Sequence, residues 1–132
     1  MKNVFLILFP FLLSFLIASD NGVFSVLSFN DAVSVSKIEG KPIFLEFRAD
    51  WCHNCRNMDK TTFKDKGVLS ELGRFIALQI DVDSLEGRRL AKQFNVRSVP
   101  AMFGINSEGN IKLKKIGYQS AKDLIQSLEN FQ

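Results

Sequence analysis

Two rhythms of apolar and polar residues run along the chain beyond its first twenty positions. Ser28-Phe29-Asn30-Asp31-Ala32-Val33 opens a helical pattern. Ser28 or Asn30 can cap it, and Gly40 with Pro42 closes it. Pro42 to Arg48 reads P-I-F-L-E-F-R, an apolar and β-rich run that predicts a largely buried strand with one ionisable interior residue, Glu46. After Trp51 the pattern turns helical through Met58 and Asp59, and a short second helix fits Lys66 to Leu72. Phe75 to Ile80 predicts another buried strand. Ser84 can cap a helix over Leu85 to Phe94 with Leu90, Ala91 and Phe94 on one face. Ala101 to Ile105 and Ile111 to Ile116 predict two strands joined at Ser107-Glu108-Gly109-Asn110, a hairpin turn. Ser120, with Asp123 three residues on, caps a last helix lined by Leu124, Leu128 and Phe131.

Strands separated by helices favour right-handed crossovers and a parallel central pair, and the late hairpin adds antiparallel strands. The expected architecture is α/β: a central mixed sheet with helices on both faces.

The first nineteen residues follow neither rhythm. Lys2 is followed by an uncharged apolar run from Val4 to Ala18 and then by small residues. This is the layout of a secretory signal. The run is short against the roughly 20 apolar residues of a membrane span, and Pro10 interrupts it. Residues 1–19 are therefore expected to be a signal peptide or an uncleaved N-terminal anchor. Residues 20–132 are expected to form one domain, periplasmic or otherwise exported, that touches a membrane only through that leader where it stays uncleaved.

Composition narrows the possibilities. The 132 residues are 46% apolar and 23% charged, with 17 Lys and Arg against 14 Asp and Glu. Such a chain is neither disordered nor basic enough to mark a nucleic-acid binder. Two cysteines exclude a disulfide-stapled miniature scaffold. Lys112, Lys114 and Lys115 suit the protection of an edge strand, and Arg88-Arg89 a solvated helix face.

Both cysteines fall in Cys52-His53-Asn54-Cys55, directly after a buried strand and at the start of a helix. Unpaired N–H groups and the helix dipole favour a thiolate there. Cys52 is expected to be the exposed, attacking sulfur. Cys55, one turn further in, is the resolving one. A static disulfide and a copper(I) site on two thiolates also use this spacing. Haem attachment needs His at position 56, which is Arg.

The segment Ala49-Asp50-Trp51-Cys52-His53-Asn54-Cys55-Arg56, following Phe44-Leu45-Glu46-Phe47, resembles the thioredoxin superfamily, as does Val99-Pro100 just before a later strand. The A-D-W-C-x-x-C-R start and Thr62-Phe63 are most similar to the periplasmic C-terminal domains of DsbD-type thiol reductases and to stand-alone thioredoxins of that branch. The resemblance implies a thioredoxin-like fold over residues 25–131 and a thiol–disulfide oxidoreductase, a reductant of protein disulfides, with no cofactor or metal. Its partners would be disulfide-bearing proteins and a membrane-embedded thiol electron donor. The same fold also carries oxidases, isomerases and redox-inert or copper-handling binding modules.

By the same resemblance, Pro100 is a cis-proline facing the cysteines, and Val99 offers its backbone to a substrate strand. Glu46 falls where a buried acid takes the proton of the second cysteine; the alternative is a carboxylate turned to solvent at a sheet edge. Trp51 either shapes the docking surface or fills the core. His53 and Asn54 replace a Gly-Pro pair and modulate the potential, His53 through its charge or not at all. Ala77 stands where the family often has a lysine beside the acid, which leaves proton transfer to Glu46 and water.

Overall fold

A computed structural model describes residues 22–132. The leader and the start of the domain at residue 20 lie outside the described residues. Eleven residues after Ser28 form α1 (Phe29–Glu39), with Ser28 Oγ accepting the Asp31 N–H and Gly40 ending the helix in the left-handed conformation that glycine adopts without strain. The chain continues through β1 (Ile43–Arg48), α2 (His53–Lys60), a 3₁₀ turn at Thr62–Lys64, α3 (Lys66–Leu72) and β2 (Ile76–Asp81). It ends with α4 (Leu85–Gln93), β3 (Ala101–Ile105), β4 (Ile111–Ile116) and α5 (Ala121–Glu129).

The sheet runs β2-β1-β3-β4. β1 pairs parallel with β2 and antiparallel with β3, and β3 pairs antiparallel with β4. The mixed sheet with helices on both faces is thus observed. Alternation along the strands divides the core. Ile43, Leu45 and Phe47 of β1 join Phe103 of β3 beneath Phe29 of α1 and Leu90 of α4. Phe44 and Met102 face the other way, toward Met58 of α2, Val68 and Leu72 of α3, and Leu124 and Leu128 of α5. Glu46 and Arg48 alternate onto this second side.

Both sheet edges are managed. The Ser25 N–H donates to the Ala77 carbonyl, so the segment before α1 runs along β2, while β4 presents its lysines. Gly87 lies where a Cβ would overlap the Asp81 carbonyl oxygen, so α4 meets the end of β2 at backbone distance. No helix among the described residues is long and apolar enough to cross a membrane.

Two local expectations change. Phe131 lies beyond α5, which stops at Glu129 with Asn130 as its cap, yet its ring still packs edge-on against Phe75 at 5.0 Å. The 3₁₀ turn has no signature in the pattern. It forms because Thr62 Oγ1 donates to the Gln119 carbonyl (2.7 Å) while Phe63 enters the core.

Phe103 is 1% exposed and meets Phe47 and Phe94 at 5.7 and 5.2 Å between ring centroids. Phe103→Ala should therefore cost about 3–5 kcal/mol, whereas Ile38→Ala on the open face of α1 should stay within about 0.5 kcal/mol. Urea unfolding of the two variants measures both.

Candidate active site

β1 ends at Arg48, and a short loop leads to Cys52, which occupies the N-cap of α2. Its sulfur accepts the Cys55 backbone N–H at 3.1 Å. A polarisable sulfur thus takes the place usually held by a Ser, Thr or Asp oxygen, against the positive end of the helix dipole. Cys52 and Cys55 are joined by a disulfide, with Cα atoms 5.2 Å apart.

Cys55 is fully buried. Cys52 is only 6% exposed, not the open sulfur that the helix-start position suggests. The reason is packing: Ala49, Cys52 and Cys55 form one apolar cluster, with Val82 and Val99 against it. Cys52 is still the more accessible of the pair. Trp51 beside it is 68% exposed, which removes the core reading of that ring. The Trp51 indole Nε1–H donates to Asp83 Oδ2 at 2.9 Å. Trp51, Val82 and Val99 border an apolar groove of about 150 Å³.

The Val99–Pro100 peptide bond is cis. Val99 is brought against the cysteine cluster, and the Pro100 carbonyl accepts the Gly117 N–H at 2.8 Å, tying this loop to the end of β4. His53 and Asn54 are the first two residues of α2, and both are exposed.

Glu46 does not turn to solvent. It is 0% exposed at the middle of the sheet. Gln79 Nε2 donates to its Oε2 at 2.8 Å; among the described residues, Oε1 has no hydrogen-bond partner. Burial is the main reason its carboxyl is raised to about 8; the Gln79 hydrogen bond opposes the shift, Asp59 adds to it, and Arg48 opposes it.

The register corrects one expectation. Ala77 pairs with Phe44, and the residue opposite Glu46 on β2 is Gln79. The pattern of a nearly continuous apolar strand carries no register, so the cross-strand neighbour was misplaced by two residues. Sequence reasoning also missed Asp59 and Arg48. Gln79 Nε2 also reaches Asp59 Oδ1 at 3.0 Å, and Arg48 bonds Asp59 and Asp50 at 3.0 and 2.9 Å. One signal was present for Asp59: it lies four residues after Cys55, on the same helix face.

With this geometry in view, the comparisons define a class and then a family. A family model described as a thioredoxin-like domain matches residues 29–132. The chain belongs to the thioredoxin-like family. It is 34% identical over 107 residues to the thiol:disulfide interchange protein DsbD of Ralstonia nicotianae, covering 79% of this chain but 18% of that protein. The chain thus spans about a fifth of the length of that curated relative. Among solved structures, the C-terminal domain of Neisseria meningitidis DsbD in its reduced form superposes with a TM-score of 0.65 at 24% identity, covering 78% of this chain and 93% of that one. A putative disulphide-isomerase from Bacteroides thetaiotaomicron gives 0.69 at 31%, covering 80% and 88%. The fold is thioredoxin-like.

The raised carboxyl has a consequence for stability. Unfolded, Glu46 ionises near its ordinary value of 4.5; folded, it holds its proton up to about 8. Its contribution is favourable at acid pH and is lost as pH rises through that window, by on the order of 4–5 kcal/mol. Glu46→Gln should lack this slope. Urea midpoints of both proteins in the disulfide form, taken from pH 5 to 8.5, should converge at low pH and separate at high pH. Parallel curves would contradict the burial of an ionisable Glu46.

Proposed function

We propose that this chain is an exported thiol–disulfide oxidoreductase that reduces protein disulfides through Cys52 and Cys55. The observation that carries the reading is the Cys52 sulfur at the N-cap of α2, bonded to a buried partner one turn away. The same N–H and dipole that hold the sulfur there favour its thiolate.

In the reduced protein, the Cys52 thiolate attacks one sulfur of a substrate disulfide. A mixed disulfide forms and the first substrate thiolate leaves. Cys55 gives its thiol proton to Glu46 in the minority of molecules whose carboxyl is ionised near neutral pH, a fraction that grows toward pH 8. The Cys55 sulfur then attacks Cys52 Sγ and releases the second substrate thiolate, which regenerates the Cys52–Cys55 disulfide. Two electrons pass to the substrate, so a donor must restore the dithiol. In an oxidising compartment that donor is a membrane-embedded thiol protein, and the leader at residues 1–19 supports a periplasmic location. The exposed Trp51, the Val99 backbone and Pro100 form the docking surface. His53 and Asn54, exposed on the first turn of α2, modulate the potential.

The 34% identity to DsbD favours the reducing direction. An isomerase is the second reading, favoured by the 31% identity to the putative disulphide-isomerase. Equilibration of the pair against glutathione separates them. A potential near −270 mV marks a reductant, one near −180 mV an isomerase, and one near −120 mV an oxidase.

Cys55→Ala should accumulate a mixed disulfide between Cys52 and proteins carrying accessible disulfides, visible on non-reducing gels and dissolved by dithiothreitol. Cys52→Ser should form no such adduct and should not reduce insulin. Absence of any Cys55→Ala adduct, with the wild type inert toward insulin, would eliminate the reading in favour of a binding module.

A further inference from the structure

Glu46 and Arg48, two residues apart on β1, project onto the same side of the sheet, toward α2. Their polar contacts form one continuous line. Arg48 Nη1 donates to Asp50 Oδ1 (2.9 Å), and Arg48 Nη2 to Asp59 Oδ2 (3.0 Å). The other Asp59 oxygen, Oδ1, accepts from Gln79 Nε2 (3.0 Å), and the same amide nitrogen reaches Glu46 Oε2 (2.8 Å). Asp50 lies two residues before Cys52, and Asp59 four residues after Cys55. One guanidinium therefore grips both flanks of the disulfide segment and is linked through Asp59 and Gln79 to the buried acid.

Charged groups from several elements surround this line. Three carboxyl groups belong to it, and β2 adds Asp81, the register partner of Arg48. From β3, the residue opposite Glu46 is the uncharged Met102. Arg56 of α2 reaches only the Asp50 carbonyl (2.6 Å). Lys64 borders the roughly 300 Å³ cavity that Asp59 and Gln79 also line. Arg48 is the cation bonded into the line itself. Its side chain is 16% exposed, so water screens its charge less than that of a surface arginine.

We infer that Arg48 is a positioning residue of the dithiol centre: it fixes Asp59 against Gln79 through its hydrogen bond and, by its charge, keeps Glu46 able to take up and release a proton. The inference rests on the reading of Glu46 as proton acceptor for Cys55. Burial and the Asp59 charge both favour the protonated acid; Gln79 and Arg48 oppose them. Take the guanidinium away, and Glu46 faces an acidic cluster with one neutral amide in support. The carboxyl, already mostly protonated at neutral pH, then holds its proton still more firmly, and the ionised fraction that can accept the proton of Cys55 shrinks further.

The test follows the Glu46 carboxyl directly, by ¹³C NMR of the reduced full chain, with Glu46→Gln to identify the signal. Arg48→Met should move its midpoint up, and Arg48→Lys should leave it near the wild-type value. Asp59→Asn alone should move it down. Arg48→Met with Asp59→Asn should return it toward wild type, because the two removed charges act in opposite directions. The pH dependence of insulin reduction should follow, with a rate near pH 7 about tenfold lower for each unit of upward shift. A structural clamp alone would lower the rate equally at every pH and leave the midpoint in place, and that result overturns the inference. If Arg48→Met does not fold, Arg48→Gln takes its place, and an unmoved midpoint in that variant overturns the inference as well. A failed Cys55→Ala trap would sink the oxidoreductase reading without touching the titration, whereas an unmoved midpoint would sink the role of Arg48 without touching the trap.

Discussion

Strand β1 is hydrogen-bonded along both edges and covered on both faces. Every side chain it carries must therefore be housed in a fixed layer, and a slip of one residue would exchange the two layers. Ile43, Leu45 and Phe47 hold α1 and α4 to one side, and Phe44 holds α2, α3 and α5 to the other. Glu46 enters the second layer for the same geometric reason as Phe44. Its burial is a result of strand pairing, and the chemistry of the carboxyl follows from that position. The chain leaves β1 at Arg48 and reaches Cys52 within four residues, so the most constrained strand of the sheet also aims the sulfur.

The site combines rigidity with restricted access. The sulfur of Cys52 is held by a backbone N–H of its own helix and shielded by Val82 and Val99. The rim beside it, formed by Trp51 and the loop before β3, is tied down by the Asp83 carboxylate at one end and by the Pro100–Gly117 hydrogen bond at the other. Gly87 contributes from a distance. The lack of a side chain there lets α4 seat against the end of β2, which leads directly to Asp83.

Much of this was legible in the chain. Ser28, Ser84 and Ser120 cap the helices they were expected to cap, because a hydroxyl ahead of an amphipathic run is a local signal that needs no tertiary partner. The cysteine pair was legible for the same reason. What escaped depends on elements meeting in space. Nothing local tells that Gln79, not Ala77, lies beside Glu46, since β2 is apolar on both sides near its start. Arg48 and Asp59 each follow simple spacing rules, two residues along a strand and four along a helix. Their meeting requires knowing that α2 crosses the polar side of β1. The small exposure of Cys52 depends on Val99, which arrives from beyond β2 and α4. Phe131 keeps its core contact after the helix has ended, and helical periodicity cannot represent that.

Trp51 is the single tryptophan of the chain, and it stands next in sequence to Cys52, whose sulfur is bonded to that of Cys55. A disulfide close to an excited indole quenches it by accepting an electron, which a pair of thiols does less readily. Tryptophan emission from this chain comes from that one ring, so light from a single side chain is the place to look for a change in the neighbouring bond, without label or substrate.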